Sequence, residues 1–167
     1  LIMLVNKLVP GEDQVEKIGP KYLDDRLLET PMIAAGQVFK ETVRMANKAK
    51  ENLELSIEAF TMDNEELAKK VYKNEELINK LNEVITSYLV KLSKRKIAEK
   101  EYKLLQATYH VVNDIERIGD HAENIADLTL EKLNKGVSCS KEAAEELAHI
   151  YGHTLKALEV AIEAYEK

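Results

Sequence analysis

The stretch Val112-Asn113-Asp114-Ile115-Glu116-Arg117-Ile118-Gly119-Asp120-His121-Ala122-Glu123-Asn124-Ile125-Ala126-Asp127 decides the reading of this chain. With its flanks, it places Thr108, Val111, Ile115, Ile118, Ala122, Ile125 and Thr129 at helical spacing, an apolar face for a long helix. Four acids, Glu116, Asp120, Glu123 and Asp127, follow at i, i+4, i+7 and i+11. At about 100° per residue they share a stripe roughly 60° wide. Like charges one turn apart cost a helix a few tenths of a kcal/mol. Arg117 lies off the stripe and does not offset that cost. Carboxylates stacked beside a core seam point to a bound cation; the alternative is a solvated acidic face.

Working outward, the same periodicity predicts an all-α chain. A helix over about 32–60 carries the seam Ala35, Val38, Phe39, Thr42, Met45, Ala46, Ala49, Leu53, Ile57, Phe60. After a brief stop at Thr61-Met62, Asp63 is expected to cap a second helix, with Glu66 closing a capping box. Its seam is Leu67, Val71, Asn74, Ile78, Leu81, Ile85, Tyr88, Leu92, and Ser93-Lys94-Arg95-Lys96 closes it. A third helix is expected from about 97 to 133, with Leu104 added to the face above and Gly136 as its C-cap. Ser140 caps a fourth, with the seam Ala144, Leu147, Tyr151, Leu155, Leu158, Ile162, Tyr165. No stretch alternates as a strand would.

The segment Leu53–Phe60 matches Leu158–Tyr165 at an offset of 105, with conservative differences. The same offset projects the Asp63 cap to just past the last residue. The chain therefore reads as one three-helix unit followed by the first helix of a second, truncated repeat.

The second helix carries a polar break at Asn74, Glu75 and Asn79. With a short loop near residue 95, that break comes level with Glu116 and Asp120 on an antiparallel neighbour. Glu75/Asn79 and Glu116/Asp120 then bring four oxygen-bearing side chains around one point. Oxygen donors suit Mg, Ca, Mn or Fe better than thiolate-seeking metals. Gly119 costs a helix interior about 1 kcal/mol against Ala and signals close approach at that level. His149 and His153 are i, i+4 on the fourth helix; they are able to hold a metal but read first as a surface pair. No Glu-x-x-His motif occurs among the stripe acids, which argues against a ferritin-like di-metal enzyme. No base, nucleophile and substrate pocket assemble, and the chain is not expected to be an enzyme.

A formal charge of −6 over 167 residues argues against nucleic-acid binding. Cys139 is the only cysteine, so no internal disulfide and no thiolate metal site can form. The apolar opening Leu1–Val9 is too short to span a bilayer. It reads either as a short helix packed on the domain or as the tail of a membrane helix. Pro10-Gly11, Gly19-Pro20 and Pro31 then break residues 12–31 into an irregular arm.

Asp114-Ile-Glu-Arg-Ile-Gly-Asp-His-Ala-Glu-Asn-Ile-Ala126 resembles the signature of the PhoU domain family. The resemblance implies repeated three-helix bundles with paired E/D-x-x-x-D/N motifs holding metal, commonly a multinuclear iron cluster. Glu116-x-x-x-Asp120 matches the second motif of one bundle, and Glu75-x-x-x-Asn79 takes the place of the first with the weaker ligand Asn. The metal implied is iron, otherwise Mn, Mg or Zn, with Asp114 and Asp127 as accessory groups. The arm Gly19–Pro31 is similar to the junction of bacterial sodium/phosphate cotransporter-type proteins, where a membrane domain precedes a cytoplasmic PhoU-like domain. That implies a stub and linker over 1–31, a bundle over 32–167, and a regulatory role in phosphate uptake at the cytoplasmic face of the membrane. The implied partner is the transporter domain of the same polypeptide. A homo-oligomer through the partly covered fourth helix is the structural alternative, and the sequence leaves direct phosphate binding open.

Overall fold

The computed structural model describes residues 19–166. The apolar opening and the first part of the arm fall outside the described residues. A 3-10 turn, Asp25–Glu29, leads into four helices: α1 (Pro31–Thr61), α2 (Glu65–Ser93), α3 (Glu99–Lys135) and α4 (Lys141–Glu166). No strand occurs among the described residues. None of their helices is long and apolar enough to cross a membrane.

Helices α1, α2 and α3 pack against one another, while α4 lies against α1. The buried lines explain the mutual packing. On α1 they run Val38, Thr42, Met45, Ala49, Asn52, Ser56, Ala59, and on α2 Val71, Asn74, Ile78, Leu81, Ile85, Tyr88, Leu92. On α3 they run Leu105, Thr108, Val112, Ile115, Gly119, Ala122, Ala126, Thr129. Each alternates steps of three and four, a period of 3.5, which keeps one seam facing its neighbours in a left-handed bundle.

This period corrects the expected faces. Leu104 is exposed, Val111, Ile118 and Ile125 are half-buried, and the fully buried line on α3 passes through Leu105, Val112, Gly119 and Ala126 instead. Val111 and Ile118 form a shoulder that, with Leu158, Ala161, Ile162 and Tyr165, lines the groove between α3 and α4. On α1 the line shifts likewise from Ile57 and Phe60 to Ser56 and Ala59.

The start of α2 is a second correction. Asn64, not Asp63, is the N-cap: its side-chain oxygen accepts from the Leu67 amide at 3.1 Å. Asp63 sits at φ 52, closing the turn, and its carboxylate meets Lys132 Nζ at 2.5 Å. Glu66 pairs with Lys69 on the surface. Asn64→Ala should therefore lower stability by about 1 kcal/mol, and Tm by roughly 2–4 °C, in thermal unfolding. Glu66→Ala should change neither measurably; equal losses for the two would restore the capping box. The expected caps of the other ends are present: Gly136 is left-handed at φ 62, and Ser140 Oγ accepts from the Ala143 amide.

Of the α4 seam only Ile162 is fully buried. Tyr165 stacks on Phe39, with ring centroids 4.6 Å apart, and Lys50 pairs with Glu159. These contacts set α4 antiparallel to α1. The arm is firmly held. Glu41 is fully buried on α1 and accepts from the Lys21 and Tyr22 amides at 2.8 and 2.7 Å and from Arg44 Nε at 2.6 Å. On α2, Tyr88 donates its hydroxyl hydrogen to the Asp24 carbonyl and Lys91 pairs with Asp25.

Candidate metal centre

The core divides into two apolar clusters. One gathers Met45 and Ala49, Ile78 to Leu92, and Leu105 to Ile115; the other gathers Leu53 and Ala59, Ala68 and Val71, and Ala122 and Ala126. Between them lies a polar layer to which α1, α2 and α3 all contribute: Asn52 of α1, Asn74 and Glu75 of α2, and Gly119 of α3. Every one of these is a buried position.

Glu75 is 2% exposed, and its carboxylate lies against the α3 backbone at Gly119. A Cβ on residue 119 would stand under 3.0 Å from both carboxylate oxygens, so the glycine is what admits the acid. Asn52 Nδ2 donates to Glu75 Oε2 at 3.4 Å. Glu75 Oε1, Asn52 Oδ1 and Asn74 Nδ2 are buried without any partner. Each such orphan costs on the order of 1–3 kcal/mol.

The charges acting on Glu75 are all negative, while Arg117 partly offsets the rise at Glu116. Burial, then the charges of Asp120, Glu123 and Glu116, push the Glu75 carboxyl up to about 7. Glu116 is raised by burial and then by Asp120; Glu123 is raised by burial and then by Asp127 and Asp120. At the end of the stripe Tyr72 donates to Asp127 at 2.5 Å, and burial followed by that bond pushes its phenol up to about 12. Arg117 pairs with Asp114 at 3.8 Å, off the stripe.

Of the expected ligands, Glu75 is brought to the acid stripe and meets it at the level of Gly119, flanked by Glu116 and Asp120. Asn79 is exposed, one turn further along α2. Among the described residues no three His, Cys, Asp or Glu side chains are gathered closely enough to hold a metal ion as they stand. The donor set nevertheless fits a hard cation: oxygen-only, net negative, with a buried carboxylate oxygen lacking any donor. Sequence reasoning missed Asn52. Its signal was the three-and-four spacing Met45, Ala49, Asn52, Ser56, which the choice of Leu53 and Ile57 passed over.

A three-helix bundle whose core is interrupted by a buried acid facing an acidic stripe defines a class of helical domain, and the matched sequence says which. Residues 42–129 match the PhoU domain, and the chain belongs to that family. It is 31% identical over 128 residues to the phosphate-specific transport system accessory protein PhoU homolog 1 of Thermotoga maritima, covering 69% of this chain and 49% of that one. It is 30% identical over 89 residues to the corresponding homolog of Aquifex aeolicus, covering 53% and 40%. A third relative, named "Putative inorganic phosphate export protein YjbB" in Escherichia coli, is 24% identical over 150 residues, covering 89% of this chain and 27% of its own length. The chain thus spans about half or less of the curated relatives it matches. No solved structure matches it significantly.

Proposed function

We propose that this chain is the cytoplasmic PhoU-like regulatory part of a sodium/phosphate cotransporter-type protein, without enzymatic activity of its own. Glu75, Asn79, Glu116 and Asp120 would hold its metal. The observation that carries the metal reading is Glu75: a buried carboxylate with an orphaned oxygen, admitted by a glycine and facing three further acids. A bound cation would supply the positive charge this layer lacks and tie α2 to α3. Asn52 holds the Glu75 carboxylate from the third side.

The transporter context rests on the family, on relatives named for phosphate transport and export, and on the arm. Residues 20–30 are bonded to both α1 and α2, so a pull on the preceding chain would reach the two helices that carry Glu41 and Glu75. That path offers a route between the metal layer and a membrane domain.

Elemental analysis of the purified chain tests the centre. The parent should carry stoichiometric iron, manganese, magnesium or zinc, and the Glu116→Ala/Asp120→Ala variant should have lost one full equivalent of it. Metal absent from both, with equal thermal stability, would leave the acids as a solvated face. The second reading, a helical assembly module, would then stand on α4, whose Ile150 and Val160 are 60% and 51% exposed.

A further inference from the structure

Outside the acid stripe, α4 carries two imidazoles side by side on one face. His149 and His153 are exposed, one turn apart, with Nε2 atoms 3.4 Å from each other. Their rings meet edge to face at 82°, with centroids 4.6 Å apart. That separation is long for a hydrogen bond. It equals the bite of a tetrahedral metal. With metal–nitrogen bonds of about 2.0–2.1 Å and a tetrahedral angle, two ligand nitrogens stand about 3.3–3.4 Å apart.

We propose that His149 and His153 form a bidentate imidazole site for a borderline transition-metal dication, zinc being the best geometric match, separate from the carboxylate layer. Imidazole pairs select Zn, Ni and Cu, whereas the oxygen-only layer favours harder ions. The site stands on α4, which packs on α1 and makes no backbone contact with α2 or α3. Glu146-Leu147-Ala148-His149 places a carboxylate one turn before the pair, within about 60° of both histidines around the helix. A rotamer change would be needed to bring that carboxylate to a third position, with water filling the rest. As they stand, only the two Nε2 atoms lie at a chelating separation. Joining two successive turns, the bound ion would staple the middle of the least covered helix.

Zinc titration into the untagged full chain, followed by calorimetry, tests this. The Glu116→Ala/Asp120→Ala background removes the stripe's contribution. One equivalent of zinc should bind in that background, and hydrogen exchange across 149–153 should slow on binding. His149→Ala and His153→Ala should each weaken binding by roughly tenfold or more, since each destroys the chelate. Both side chains are exposed, so helix content should not change. Zinc binding that survives His153→Ala overturns the site. So does a background variant that binds no zinc at all.

Discussion

In metal-free protein, Glu75→Gln should raise stability at pH 8 by about 2–3 kcal/mol and leave it nearly unchanged at pH 5. Glu75 is fully buried, and burial with the charges of Asp120, Glu123 and Glu116 lifts its carboxyl from 4.5 to about 7. Between those values the folded chain holds a proton that the unfolded chain has released. Stability therefore falls as pH rises from about 4.5 to about 7, and the penalty is complete above that. A shift of this size corresponds to roughly 3 kcal/mol at about 1.4 kcal/mol per unit. Glutamine keeps the volume and an oxygen for Asn52 Nδ2 but cannot ionise. Urea denaturation of parent and variant at the two pH values reads the difference directly. A parallel pH slope for the two proteins would mean that Glu75 titrates like a solvated acid. Under the proposed function, saturating metal should reverse the order, because only the parent offers the ion the Glu75 carboxylate.

Glu41→Ala should cost about 3–5 kcal/mol and release the arm. The carboxylate is wholly buried and accepts from two backbone amides of the arm and from Arg44, which also donates to the Gly19 carbonyl at 2.7 Å. Hydrogen bonds to a charged acceptor are worth roughly 1.5–3 kcal/mol each. Removing one member of a buried ion pair has a cost of similar size. Glu41→Gln keeps the shape and one acceptor, and should lose about half as much. Amide exchange at Lys21 and Tyr22 separates local release from global loss: both amides should exchange freely in Glu41→Ala while the α2 core stays protected. Unaltered protection there would show that Tyr88 and Lys91 hold the arm without help from α1. Under the proposed function, the same variant would uncouple the bundle from whatever precedes it while leaving the metal layer intact.

Much of this was legible in the chain. The helix boundaries at Ser93, Gly136 and Ser140 follow from local chemistry: basic residues at a last turn, a glycine that tolerates positive φ, a serine cap. Pro31, read as a breaker of the arm, is instead the first residue of α1, where its missing N–H costs nothing. Asn64 displaced Asp63 because the intervening turn is set by the meeting of two helices, and Lys132 takes up the Asp63 carboxylate from α3, nearly seventy positions away. The acid stripe and the polar break were visible as spacing, and Gly119 as a helix-interior cost that signalled close approach at that level.

What faces what was not so legible. A helix read alone repeats every 3.6 residues, but three helices packed together select the 3.5-residue line, which rotates the buried face from Val111 and Ile118 to Val112 and Gly119. That rotation puts the glycine inward and lets Glu75 lie against it; it also recruits Asn52, which no pattern of apolar residues would single out. The sequence by itself determined the helices, most of their ends and the sign of the charge on α3. Only the tertiary structure decided that Glu75 is buried against Gly119 while Asn79 stays exposed, because burial arises between helices and has no signature within any one of them.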